Sequence, residues 1–465
     1  MPDIETTRRE LLRLLCLGMG TLSVPGFAET ISGTVRRPNI VFILADDLGW
    51  HQLGCYGSRF YETPNIDRLA KQGMRFTKAY SACPVCSPTR ASIMTGKYPA
   101  RLHLTDYIAG NAPTDRKLLT PEWTKYLPLE EVTVAEALKS AGYVTGHFGK
   151  WHLNKDKYYK LGRPGDPGSQ GFDDVLTTHK PGAGPESTYE NDWHHVRQIT
   201  ERAVDFMDKN RNHPFFCYIP HNTIHSPERE RTELIEKYSA KPNARQGSRH
   251  NPIQAAMLET LDRSVGTILR KLEELDLEKN TVVVFFSDNG QLGTKEGPGS
   301  PLRGSKGDLY EGGIRMPLIV RWPGVVPAES VCEEVVISND FFPTLSEIAG
   351  ANGTPADIDG LSLVSLLKDP EAGLNRDAVY WHYPHYHTAG LGPQGAIRQG
   401  RYKLIEWYEK SAYSEDGAFE LYDLKEDPGE QNNLSDSVSE LTASLRDKLA
   451  AWRKRVGAQD MPKNI

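Results

Sequence analysis

Four stretches of this chain are apolar without a break, and each ends abruptly in polar or charged residues. Asn39-Ile-Val-Phe-Ile-Leu-Ala45 runs into Asp46-Asp47, and Pro214-Phe-Phe-Cys-Tyr-Ile219 into Pro220-His221. Thr281-Val-Val-Val-Phe-Phe286 runs into Ser287-Asp288-Asn289-Gly290, and the shorter Tyr143 to Phe148 into Gly149-Lys150-Trp151-His152. Alternation would mark a strand with one wet face. Continuous apolarity marks a strand buried on both faces, as in a parallel sheet covered by helices. Helical patterns lie between these runs. Thr133-Val-Ala-Glu136 is a capping box opening a helix to about Ser140, stopped by Gly142. Val196, Ile199, Ala203 and Phe206 form one helical stripe; Met257, Leu261, Val265, Ile268 and Leu272 form another. Strand–helix alternation of this kind predicts an α/β fold built on a large, mostly parallel, doubly wound sheet sandwiched by helices.

At 465 residues the chain suits one large domain plus a smaller one. From about Asp377 the pattern changes to short alternating pieces such as Gly395 to Ile405 and Phe419 to Asp423, followed by a helix with Leu441, Leu445 and Leu449. The predicted division is residues 37–375 for the α/β domain and 376–465 for an antiparallel α+β subdomain. Hydrophobic residues at 38% against 25% charged exclude a disordered polyelectrolyte. A net charge of −6 offers no basic field for nucleic acid. No apolar run reaches the roughly 18 to 20 residues that span a bilayer. Six cysteines in such a chain are too few for a disulfide scaffold. The N-terminus, Thr7-Arg8-Arg9-Glu10-Leu11-Leu12-Arg13 before a mildly apolar, Gly-containing segment, resembles a bacterial twin-arginine export signal. Residues 1–30 are therefore read as an address, and the mature protein is expected in the periplasm or outside the cell.

In open α/β sheets, ligands bind beyond the carboxyl ends of the strands. A single Asp after a strand is usually a turn or a helix cap. Here four strands deliver polar groups at that end together: Asp46 and Asp47, Lys150 and His152, His221 and His225, Asp288 and Asn289. Asp46, Asp47, Asp288 and Asn289 make an all-oxygen set, which selects Ca²⁺ or Mg²⁺ over Zn²⁺. Three carboxylates converging without a cation would raise one another's pKa. Cys83-Pro-Val-Cys86 is formally a CxxC, a redox or zinc motif, but no second pair stands at zinc-ribbon spacing.

The continuation, Cys86-Ser-Pro88-Thr-Arg90-Ala-Ser-Ile-Met-Thr-Gly96, is more specific. With Asn39 to Gly49, Thr63-Pro-Asn-Ile-Asp67, Gly146 to His152, His221-Asn-Thr-Ile-His225-Ser-Pro227, Ser287 to Gly290, Leu302 to Pro317 and Leu421-Tyr-Asp-Leu-Lys-Glu-Asp-Pro428, it resembles the formylglycine-dependent type I sulfatases of the alkaline-phosphatase superfamily. The resemblance runs from Pro38 to about Asn433. It implies the alkaline-phosphatase-like version of the α/β fold, with a large mixed, mostly parallel sheet sandwiched by helices, and oxidation of Cys86 to Cα-formylglycine by a maturation enzyme. It also implies a Ca²⁺ site (Mg²⁺ being the alternative) of Asp46, Asp47, Asp288, Asn289 and the residue at 86. Arg90 and Lys150 match the family's cations around the formylglycine, and His152 matches its base. His225 and Lys306 match the groups on the sulfate and leaving oxygen. Asn154 and Gln291 depart from the family's usual residues, in a loop and in the pocket wall.

The chemistry is coherent without the name. A sulfate monoester is anionic, so a nucleophile needs cations to screen repulsion, and the metal, Arg90, Lys150 and Lys306 supply them. Imidazoles titrate near working pH, which suits His225 as acid and His152 as base. Trp381-His-Tyr-Pro-His385-Tyr-His387 and the following glycines are read as a loop presenting rings and imidazoles to a sugar. His385 and His387 are expected at the pocket mouth, with His103 and Asp106 on the opposite wall. The expected substrate is a sulfated carbohydrate attacked from its end. Two other readings share much of this pattern: a formylglycine-dependent phosphonate monoester or phosphodiester hydrolase, and a silent glycan-binding protein.

Overall fold

The strand β1 (Asn39–Ala45) shows how the large sheet is assembled. All seven residues are buried, yet Ile40, Phe42 and Leu44 enter one core while Val41, Ile43 and Ala45 enter another. This is the period of two expected where both faces are covered. The computed structural model describes residues 37–154, 162–293, 301–352 and 355–465. The segment read as an export signal lies outside them. The further strands of the large sheet are β2 (Met74–Tyr80), β3 (Val144–Gly149), β4 (Asp174–Thr177), β5 (Phe215–Pro220) and β6 (Thr281–Ser287). They are completed by β7 (Arg315–Arg321), β8 (Ser330–Cys332) and β9 (Val336–Ile337). The order is β4-β3-β5-β1-β6-β7-β2-β8, with β9 beside β2. From β4 through β6 every pairing is parallel. β7 runs antiparallel to both β6 and β2, which makes the sheet mixed.

Helices Pro64–Lys71, Val196–Lys209 and Pro252–Glu274 bury their apolar stripes against one face. Helices Cys86–Thr95, Val134–Ser140 and Phe341–Ala349 cover the other. The capping box at Thr133 forms as read, with Thr133 accepting from the Glu136 N–H and Glu136 accepting from the Thr133 N–H. In the register, Leu44 stands opposite both Pro220 and Phe286. Asp46, His221 and Asp288 therefore leave the sheet side by side at its carboxyl edge.

The C-terminal strands β10 (Val379–Tyr383), β11 (Gln394–Gln399), β12 (Tyr402–Trp407) and β13 (Phe419–Asp423) form a separate antiparallel sheet. Helix Ser439–Val456 buries Leu445, Leu449, Trp452 and Val456 against it, and Trp452 stacks on Tyr380 with ring centroids 4.9 Å apart. A third core joins this sheet to Tyr80, Val85, Tyr98, Leu309 and Tyr310, and residues 37–465 form one compact unit. Trp381 and Tyr383, read above as loop rings facing a sugar, belong to β10 and are buried in that shared core. The Trp381 indole N–H donates to Ser81 O at 2.8 Å, so its polar atom is satisfied inside. Among the described residues, no helix is long and apolar enough to cross a membrane.

Candidate active site

Cys86 opens the helix Cys86–Thr95 after an extended Val85, and every residue of that helix is buried. Pro88 is tolerated because the first-turn N–H groups lack helical partners anyway. The helix N-terminus carries partial positive charge, which favours anions near Cys86. Arg90 lies one turn further on the same face. Its Nε and Nη2 donate to Asp288 Oδ2 at 2.9 and 2.7 Å, and its Nη1 donates to Lys150 O at 2.8 Å.

Lys150 follows β3 at a pinch point. Gly149 has φ +136, and a Cβ there would stand 1.9 Å from Pro220 O, so only glycine lets β3 and β5 end this close. Lys150 Nζ donates to Asp46 Oδ2 at 2.7 Å. Lys306 Nζ and Asn289 Nδ2 both donate to Asp47 Oδ1, at 2.6 and 2.7 Å. Asp47 (φ 62) and His152 (φ 57) occupy the left-handed region, backbone strain that the surrounding contacts must hold in place.

His152 Nδ1 is 3.3 Å from Cys86 Sγ, and its Nε2 faces the Ile108 carbonyl. A carbonyl only accepts, so the network assigns the proton to Nε2 and leaves Nδ1 as an acceptor toward Cys86. Burial, then Lys150 and Arg90, push the His152 pKa well below its ordinary value, which keeps the ring neutral. His225 is pushed down to about 4 by burial, against the pull of Asp47 and Asp46; its Nε2 is 3.8 Å from Asp47 Oδ2. Burial works against ionisation of Asp46 and Asp47, but the neighbouring cations outweigh it and hold both below the usual carboxylate range. Asp288 is pushed up to about 8 by burial and by Asp46.

Three carboxylates thus face three fixed cations in a dry site. Asp46 Oδ1 and Asn289 Oδ1 are buried there without any hydrogen-bond partner. Two orphaned hard oxygens beside a carboxylate crowded upward are the donors a Ca²⁺ or Mg²⁺ ion takes, so the residues present fit a divalent cation. Among the described residues, Asp46, Asp47 and His225 bring potential ligand atoms within 4.8 Å of one another, whereas Asp288 turns Oδ2 to Arg90.

The structure brings together Asp46, Asp47, Cys86, Arg90, Lys150, His152, His225, Asp288, Asn289 and Lys306. It treats the four residues expected on the pocket walls differently. His387 is half-buried and edge-on to the Tyr107 ring at 5.4 Å, and a Cβ on Gly307, the residue after Lys306, would stand 2.8 Å from its Nδ1, which puts it beside the site; burial and then Lys306 push it down to about 4. His385 departs from its expected place at the mouth. It is 0% exposed, with Nε2 2.8 Å from Thr105 Oγ1 and its ring edge-on to Trp123. Asp106 is buried beside it and accepts from Tyr383 OH at 2.8 Å, so the two form an internal pair, not opposite walls. These local partners offset the burial of polar groups. His103 faces away, its Nε2 2.8 Å from Gly457 O near the end of the last helix.

Sequence reasoning missed Lys180. It stands three residues past β4, the outer parallel strand, largely exposed, with its ammonium pushed below the usual range by partial burial and then by the charges of Lys150 and Lys306. The partly exposed Asp174–Thr177 lacks the unbroken apolarity that marked the other strands. Thr178-His179-Lys180 directly after it was the available signal.

A mostly parallel α/β sheet with buried carboxylates, cations and a cysteine that opens a buried helix at its carboxyl edge defines a hydrolase site of the alkaline-phosphatase-like class. The sulfatase family model matches residues 38–351, and a model described as "N-sulphoglucosamine sulphohydrolase, C-terminal" matches residues 305–455. A "Sulfatase" from Formosa agariphila is 32% identical over 96% of this chain and 94% of its own. The human N-acetylgalactosamine-6-sulfatase is 33% identical over 78% of this chain and 72% of its own. The crystal structure of Ps i-CgsB in complex with k-i-k-neocarrahexaose superimposes with a TM-score of 0.73 at 27% identity, covering 90% of this chain and 93% of that one. The chain belongs to the sulfatase family and is a sulfuric ester hydrolase.

Proposed function

We propose that this enzyme removes sulfate from the end of a sulfated carbohydrate, using a Cα-formylglycine made from Cys86 together with Ca²⁺, or Mg²⁺ in its place. The observation that carries the reading is the position of Cys86. It opens a buried helix, with its Sγ 3.3 Å from a neutral imidazole nitrogen, where cations balance carboxylates. Asp46, Asp47, Asp288 and Asn289 would hold the metal, which supplies Lewis-acid stabilisation of negative charge. The modified residue supplies a hydrated aldehyde, a nucleophile with two geminal hydroxyls. Arg90 and Lys150 stabilise charge on that side of the site, with Asp288 and Asp46 setting their geometry. His152 Nδ1 is oriented to take a proton from the residue at 86. Lys306 lies against Asp47, where it screens the developing charge on the leaving oxygen; His225, kept neutral by burial, takes up the proton it delivers there when the anionic ester binds beside it.

The sugar reading is supported by the relative that acts, by its name, on a 6-sulfated N-acetylgalactosamine and by the structure bound to a neocarrahexaose. The 376–465 unit supplies one wall of the pocket through His387. The twin-arginine pattern supports export to the periplasm or beyond; since such substrates fold before export, the modification should already be present in the cytoplasmic precursor. Peptide mass spectrometry of active enzyme should show the Cys86 peptide about 18 Da light, the exchange of a thiol for an aldehyde. Cys86→Ser should abolish turnover while the thermal midpoint stays near wild type. Chelation should lower activity and stability together, because the metal binds the folded state preferentially. Stoichiometric zinc, or faster turnover of a phosphonate ester than of the sulfate ester of the same phenol, would overturn the reading. Position-defined sulfated mono- and oligosaccharides then locate the bond that is cleaved.

A further inference from the structure

Lys306 sits on the returning part of the connection between β6 and β7, and the C-terminal unit grips this segment along its length. Arg303 Nη1 donates to Glu430 O at 2.8 Å and to Tyr422 OH at 2.9 Å, with the guanidinium 4.0 Å above the Tyr310 ring. Asp308 Oδ1 accepts from the Leu391 N–H at 2.8 Å. The Leu309 N–H donates to Gln394 Oε1 at 2.9 Å, and Tyr310 OH donates to Glu420 Oε2 at 2.6 Å. On the other side, the Gly307 N–H donates to Pro84 O at 3.0 Å, two residues before Cys86. Gly307 has φ +91, and a Cβ there would lie 3.0 Å from the Gly390 nitrogen. The segment is therefore clasped between the cysteine helix and the C-terminal unit.

The clasp centres on three charges with no exposure at all: Glu311, Lys403 and Glu430, each at 0%. Lys403 Nζ lies 2.9 Å from Glu430 Oε1 and 3.1 Å from Glu311 Oε1. Glu430 Oε2 accepts from the Glu311 N–H at 2.7 Å, and Tyr80 OH donates to Glu311 Oε2 at 2.7 Å. A buried ion pair contributes little net stability relative to apolar residues of the same volume. What it does contribute is geometry, since each carboxylate oxygen has a fixed partner to meet.

We infer that Glu430 is a positioning residue for Lys306: seated between Lys403 of β12 and the backbone of Glu311, it fixes the segment that holds the Lys306 ammonium against Asp47. The inference rests on the proposed role of Lys306 at the leaving oxygen. The test is a double-mutant cycle on the full-length, modified enzyme, read with a series of aryl sulfates whose phenols range from strongly to weakly acidic. Glu430→Gln keeps the shape and an acceptor oxygen but removes the charge; Glu430→Ala removes both. Glu430→Ala should lower kcat/KM roughly tenfold on the weakly acidic phenol and much less on the strongly acidic one, with Glu430→Gln in between. In a Lys306→Ala background the same substitutions should have no further effect. An equal loss across the series, or a loss that multiplies in the Lys306→Ala background, would show a merely structural role and overturn the inference. Wild-type turnover by Lys306→Ala would instead overturn the leaving-group role of Lys306, and the inference with it. If Glu430→Ala does not fold, Glu430→Gln reads the same pattern.

Discussion

Histidines carry three different burdens in this molecule, and their surroundings assign them. His152 is neutral, with Nδ1 aimed at Cys86 because the Ile108 carbonyl claims the other nitrogen. His387 borders the site beside Tyr107. His385 lies under the loop that carries Thr105 and Asp106 and reaches no solvent. Substituting the last two should separate their roles. His387→Ala should raise KM for a sulfated sugar while leaving kcat/KM for small aryl sulfates nearly unchanged. His385→Ala should leave a cavity and an unpaired Thr105 hydroxyl, lowering stability by about 1–3 kcal/mol and affecting both substrate types alike. A thermal melt and two Michaelis curves per variant check this.

Strands and helices matter here chiefly through where they end. β1, β5 and β6 stop level with one another because Leu44 pairs with both Pro220 and Phe286. β3 joins them through the Lys150 N–H, which donates to Pro220 O at 2.7 Å. The close approach at Gly149 is the condition for that bond. Gly149→Ala should force the two strand ends apart, with a cost of about 1–3 kcal/mol from the unfavourable φ alone. It should lower kcat more than tenfold, since an error near 1 Å in a catalytic group can cost about a hundredfold. Retained kcat with a lowered melting temperature would mean that Lys150 tolerates the shift.

For the whole molecule, burial of uncharged imidazoles sets the acid limit of stability. His147, His221 and His382 are each pushed down to about 3, with burial the leading cause. An unfolded histidine titrates near 6.5, so between about 6.5 and 3 the unfolded chain binds protons that the folded chain refuses. Their stabilising contribution is complete above that window and is lost as pH falls through it, by up to about 1.4 kcal/mol per pH unit per histidine. His147 lies among the rings of Trp151, Phe172 and Tyr218, with centroids 5.3 to 5.7 Å away, a site shaped for phenylalanine. His147→Phe should flatten the fall in unfolding free energy between pH 6.5 and 4 while changing it little at pH 7.5. Denaturant titrations at several pH values measure that slope.

The unbroken apolar runs and their polar ends made the parallel half of the large sheet legible, because burial on both faces and ligands at carboxyl ends are local consequences of residue order. Cys86 and the cations at Arg90, Lys150 and Lys306 could likewise be named from their motifs and the resemblance. Which strand runs antiparallel, the short β4 that precedes Lys180, and the inward turn of His385 were not legible. Each depends on which partner a residue meets across the fold. Asp106 and His385 read as residues on opposite walls of a sugar pocket, but inside the fold Asp106 accepts from Tyr383 OH and His385 Nε2 meets Thr105 Oγ1. The sequence by itself determined which side chains are chemically able to act. Only the tertiary structure decided which of them face solvent and substrate, because burial and hydrogen bonding are settled between segments far apart in the chain.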